Sequence, residues 1–142
     1  MKDIGLAIRN LYSGLLAGIT YAGQPVPFYD AEPWESAPDH YVVLQNIDHT
    51  ETGNDQAFTQ DANATLEIVT RQNMINSRIP ADTIAGEILG RLLPTPYQDH
   101  YADGIQVMIR SANSPGYLHT QHGTVQINRK ILVISNHLIQ TQ

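Results

Sequence analysis

The sequence contains no cysteine, which excludes disulfide scaffolds, thiolate metal sites and a cysteine nucleophile. That absence suits a protein made in a reducing cytoplasm. Charge is also scarce: Asp, Glu, Lys and Arg make up 15% of the residues, against about 25% in an ordinary globular domain. More of the surface is therefore uncharged and open to contacts with partners or further copies of the chain. Eight Lys and Arg stand against 14 Asp and Glu, a formal net charge of -6. Such a balance argues against affinity for nucleic acid, which needs a basic face to displace counterions. It is compatible with an acidic wall past which nucleic acid slides without sticking. No apolar run approaches ~20 residues, so no membrane span is expected. Lys2, Asp3 and Arg9 interrupt the apolar N-terminus where a signal peptide needs an unbroken core. The expectation is a soluble protein.

At 142 residues the chain has the usual size of one domain, and 1–142 is read as a single unit. A chain of this length buries roughly 70% of the surface exposed when unfolded, so it needs no metal or disulfide. Ile4, Ala7, Ile8, Leu11 and Leu15 recur at steps of three and four, which predicts an amphipathic helix over 3–16. Ile19 to Tyr21 and Val26 to Tyr29, around the turn 22–25, predict a short hairpin or two edge strands. Pro25 and Pro27 confine the second of these to an edge. Residues 30–40 form a proline-punctuated extended loop. Strands follow at 41–47 and 58–71, joined through a polar tip around Gly53, Asn54 and Asp55 as a long antiparallel hairpin. Ile84, Ile88, Leu89 and Leu92 predict a helix over 80–93, opened by Pro80 and stopped by Pro94. Strands at 104–111 and 124–135 close the chain around a Gly/Pro/His-rich connection at 112–123. The expected fold is α+β, an antiparallel-dominated sheet with two helices packed on one side.

Candidate chemistry is thin. Of six histidines, only His119 and His122 lie close, as H-T-Q-H. Two imidazoles on one turn could share a metal with Asp99 or Asp103, but the spacing lacks a third ligand and reads as ordinary loop histidines. Asp30, Glu32, Glu35 and Asp39 flank Trp34 in a way that superficially resembles a sugar groove with acid and base. A solvated acidic loop is the simpler reading, because acid–base work needs two carboxylates held rigidly together. There is no G-x-S-x-G, H-E-x-x-H, G-x-G-x-x-G or P-loop. Neither an enzyme, a cofactor nor a bound metal is expected. Phe28, Tyr29, Trp34 and Tyr41 lack the basic interleaving of a nucleic-acid platform and read as core or interface anchors.

Residues 26–44, V-P-F-Y-D-A-E-P-W-E-S-A-P-D-H-Y-V-V-L, resemble a pattern of bacteriophage tail-completion or tail-terminator (head–tail joining) proteins. In that family a short N-terminal helix precedes a "v-P-v-Y-D-x-x-P … a-P-Y-v-v-l" segment. The matching residues here are Pro27, Tyr29, Asp30, Pro33, Pro38, Tyr41, Val42 and Val43. Asp39 and His40 depart from it, standing between Pro38 and Tyr41 where the family commonly runs straight on. Element order extends the likeness over nearly the whole chain. The resemblance implies a homo-oligomeric ring in the virion, usually hexameric with a dodecamer as the other symmetry. It also implies a tail-tube protein on one side, a head-side connector or stopper on the other, and genomic DNA passing through the lumen without specific binding. Such a ring needs a head-to-tail interface whose rotation closes, which edge strands and hairpins can supply by strand addition. The expected interface residues are Phe28, Tyr29 and Trp34 in and just before the 30–40 loop, Thr52, Gly53, Asn54 and Asp55 on the 48–58 tip, and His119 and His122 in the 112–123 loop. Two other readings stand beside this one: a different neck ring or tail-tube subunit, and a monomeric ligand- or metal-binding module using the Trp34 loop or His119 and His122.

Overall fold

The structure, a computed structural model, describes residues 4–33, 38–51 and 59–140. The expected anchors Trp34, Thr52, Gly53, Asn54 and Asp55, with most of the 48–58 tip, lie outside the described residues. The elements in chain order are α1 (Ile4–Leu15), β1 (Thr20–Tyr21), β2 (Gln24–Pro25), β3 (Phe28–Tyr29), β4 (His40–Glu51) and β5 (Thr59–Asn73). Then come α2 (Ile79–Leu92), β6 (His100–Ala102), β7 (Ile105–His122) and β8 (Val125–Gln140). Strands β3-β4-β5-β8-β7-β6 form one sheet, antiparallel throughout except for the parallel pairing of β3 with β4. β1 and β2 make a separate small hairpin. Neither helix is long and apolar enough to cross a membrane.

The alternation of the strands decides which face is buried. Val42 and Leu44 of β4, Leu66 and Ile68 of β5, Val107 of β7 and Ile134 of β8 point to one side. There they meet Ile8 and Tyr12 of α1 and Ile84 and Ile88 of α2 in a single core. Both helices therefore lie on the same face, and the α+β expectation holds. Arg91 fastens their ends together by donating to the carbonyls of Leu15 and Ala17. The core side of β8 also carries Asn136, fully buried. Its Oδ1 accepts from the Tyr12 hydroxyl at 2.8 Å, and its Nδ2 donates to the Ala62 and Ile134 carbonyls.

Three expectations are corrected. Residues 112–122 are strand rather than loop, because β7 and β8 continue as one ribbon to a two-residue turn at Gly123 and Thr124. Two bulges, between Ile109 and Ser111 and between Asn113 and Gly116, absorb Pro115 on the outermost side, where proline need not donate to a ladder. His100, in a stretch assigned no element from sequence, sits in β6, paired with β7. Gln24 and Pro25 pair with β1, so the turn shrinks to Ala22 and Gly23, and Phe28 and Tyr29 form their own edge strand along β4.

Gly123 has φ +62°, and no neighbouring heavy atom lies within 4 Å of where a Cβ would stand. Gly123→Ala should therefore cost about 1–2 kcal/mol in urea unfolding, all of it from the left-handed backbone. An unchanged midpoint would mean that the tip does not hold this turn.

Candidate assembly surface

The registers align whole rows of residues across the sheet. Glu51, Gln60, Leu138 and Val107 form one row; His40, Thr70, Asn128 and His119 form another. Coverage of the two outer strands is unequal along these rows. β3 covers β4 only at Val42 and Val43, with the Val42 N–H donating to the Pro27 carbonyl at 3.0 Å. β6 covers β7 only at 105–107, and the Tyr97 hydroxyl accepts from the Ile109 N–H at 2.7 Å. Among the described residues, no strand pairs with the outer edge of β4 over 46–51 or with that of β7 over 116–122. These open segments lie at diagonally opposite corners of the sheet.

The face away from the helices is closed at one end by a strap. Phe28 points into the helix-side core, while Tyr29 turns to the opposite face and packs edge-on against Tyr41, with ring centroids 5.7 Å apart. The chain then wraps around the β3 edge. The Asp30 backbone carbonyl accepts from the Arg9 guanidinium on the helix side at 2.8 Å, and Glu32 reaches across the far face. Its carboxylate accepts from Arg129 at 3.1 Å, Gln45 at 2.8 Å and the Tyr41 hydroxyl at 3.3 Å; Arg129 also bridges to Glu67 at 2.8 Å. Beneath lie Tyr41, Val43 and Val69, each at most 1% exposed. Asp39 and His40, the residues that depart from the family pattern, start β4 early: the Asp39 carbonyl accepts from the Arg71 N–H.

Burial pushes the Glu32 pKa up, but the hydrogen bond and charge of Arg129, with the Gln45 and Tyr41 donors, outweigh it and leave the carboxyl below its ordinary value. A depressed folded pKa stabilises above the unfolded value and is lost as pH falls through the folded one. The strap should thus loosen below about pH 4.5. Near-ultraviolet circular dichroism of the Tyr29–Tyr41 ring pair should report that transition, and Glu32→Gln should remove the part of it that titrates. A Glu32→Gln variant with the wild-type acid profile would contradict the latch.

Among the described residues, the remaining candidates assemble no reaction centre. A pocket of about 390 Å³ is lined by Tyr21, Ala22, Gln24, Pro25, Pro38, Asp39 and His40. Burial lowers the His40 pKa; among the described residues its Nδ1 has no hydrogen-bond partner and no serine or threonine lines the pocket. Glu32 is committed to Arg129. His119 and His122 pair with Asn128 and Val125, so strand alternation sends them to opposite faces of the ribbon. His119 Nε2 lies 2.5 Å from Gln126 Oε1. Among the described residues no His, Asp or Glu cluster could hold a metal ion. Of the expected anchors, Phe28 and Tyr29 are half-buried within the chain, whereas His119 and His122 are exposed beside the open edge of β7. The open edges themselves were missed from sequence, since they depend on strand order.

No family model matches the sequence. No curated protein matches it either. Among solved structures, a chain in the "Virion of native gene transfer agent (GTA) particle" is similar, with a TM-score of 0.68 at 13% identity. The superposition covers 98% of this chain and 99% of that one, so the two share a fold from end to end.

Proposed function

We propose that this chain is a structural virion protein that closes into a ring at the head–tail junction, completing the tail and joining it to the neck around a DNA-conducting lumen. The carrying observation is the end-to-end likeness in fold to a chain of a gene transfer agent virion. The P-F-Y-D-A-E-P and Y-V-V-L residues add to it, because they build the β3 edge, the strap and the start of β4. Open sheet edges on both flanks supply the head-to-tail surfaces a ring requires. A net charge of -6 suits a wall that DNA crosses without binding. The role is structural rather than catalytic. Trp34 and the 52–55 tip remain proposed contacts to neighbouring copies or rings.

The test is to mix the purified protein with tail tubes assembled from the tube protein of the same genome and image them by negative stain. Density capping one end of each tube is expected. Incorporation along the tube would favour a tube subunit. Binding only to the head-side connector would favour a stopper. A protein that ignores both overturns the reading.

A further inference from the structure

We propose that neighbouring copies are joined by one defined strand pairing, residues 117–122 of β7 in one copy lying antiparallel to 46–51 of β4 in the next; this rests on the ring reading above. Three antiparallel steps separate β4 from β7, so the two strands run in opposite directions. A sheet continued from copy to copy therefore brings β7 against the next β4 in the antiparallel sense. Both open runs are regular: the β4 bulge between Leu44 and Asn46 lies before one, and the two β7 bulges lie before the other. Neither run contains proline or lysine, the residues that usually protect an edge from pairing. The β7 run has no acidic residue, while the β4 run carries Asp48 and Glu51, so no like charges oppose.

Face matching selects the register. Asn46 and Asp48 pair with Thr65 and Asn63, and Thr120 pairs with Ile127 and through it Arg71, all on the face away from the helices. Keeping that face continuous with the longest overlap sets Asp48 opposite Thr120 and Asn46 opposite His122. β3 of the added copy then clears the ribbon tip at one end, and β6 clears the added strand at the other. Asp48 lies in the row of Asn63 and Thr120 in the row of Arg71, eight residues along β5. Each copy is thus displaced about 26 Å along the strands while spanning about 19 Å across four of them. Copies sit at one level only if the strands tilt by roughly 55°, steeper than the 35–45° usual in closed barrels. Without that tilt the same pairing winds into an open helix.

The cysteine-free chain makes the test direct. The double variant Asp48→Cys/Thr120→Cys is oxidised at assembly concentration beside Asp48→Cys/Leu118→Cys and Asp48→Cys/His122→Cys, which sample the flanking registers, and beside each single variant. Circular dichroism and particle mass check that each variant folds and assembles. Expected is loss of most monomer into a covalent ladder that stops at the ring's subunit number, for the Thr120 pair and neither flanking pair. Rings of normal mass with no bridge in any register overturn the strand pairing and leave the ring reading intact. A ladder that continues without limit supports the pairing and overturns closure. A chain that remains monomeric at every concentration, with and without the tail-tube protein, overturns both.

Discussion

Asn136→Asp should lose roughly 3–5 kcal/mol of stability, the range for a buried charge left without compensation. Asn136 is fully buried on the core side of β8, and the replacement differs by one amide group. That group donates to the Ala62 and Ile134 carbonyls at 3.1 and 3.0 Å. A carboxylate there would face both acceptors with no donor of its own and only the Tyr12 hydroxyl to solvate it. The introduced carboxyl must have a raised folded pKa, so the deficit relative to wild type should shrink as pH falls and the acid becomes neutral. Tyr12→Phe leaves Oδ1 of Asn136 unmet and should cost about 1–3 kcal/mol. Urea unfolding at matched pH decides both. An Asn136→Asp variant within 1 kcal/mol of wild type would mean that this network does not hold α1 to the sheet.

Tyr41→Ala carries the second large effect, about 3–5 kcal/mol, as for other buried aromatic truncations. In a two-layer fold the sheet face opposite the helices is ordinarily wet, yet Tyr41 there is 1% exposed. The strap explains it: Tyr29 stacks edge-on against the ring, and Glu32 accepts from the hydroxyl. Removing the ring should release the strap as well as open a cavity, so the loss of Glu32 protection should appear as a weaker acid transition. Tyr41→Phe keeps the packing and should cost about 1 kcal/mol, the worth of one hydrogen bond. Equal costs for the two variants would show that packing contributes nothing beyond the hydroxyl.

The elements with strong apolar periodicity were legible from sequence. α1, the start of β4, β5 and α2 each bury one face against the core, so their patterns record their own environment. The distal half of β7 had no such pattern. Its residues 116–122 lie at an edge with one side open, and their partners on β8 are chosen by register rather than by local preference. β6 did leave a signal: Asp103 and Gly104, at φ +54° and +75°, form the Asp-Gly turn typical of a two-residue hairpin. The segment around Tyr29 and Pro33 was legible as a resemblance. Its physical basis was not, because Glu32 is held by Arg129, 97 residues away in sequence. The expected interface histidines stand beside an open edge, but the edge could only be found once strand order was known.

The most direct test of the central claim is the mass of the purified protein in solution across a concentration series. The account predicts a discrete species at six or twelve times 15.8 kDa, alone or on addition of the tail-tube protein, with annular particles in negative stain. A protein that stays at 15.8 kDa at every concentration, with and without that partner, would contradict it.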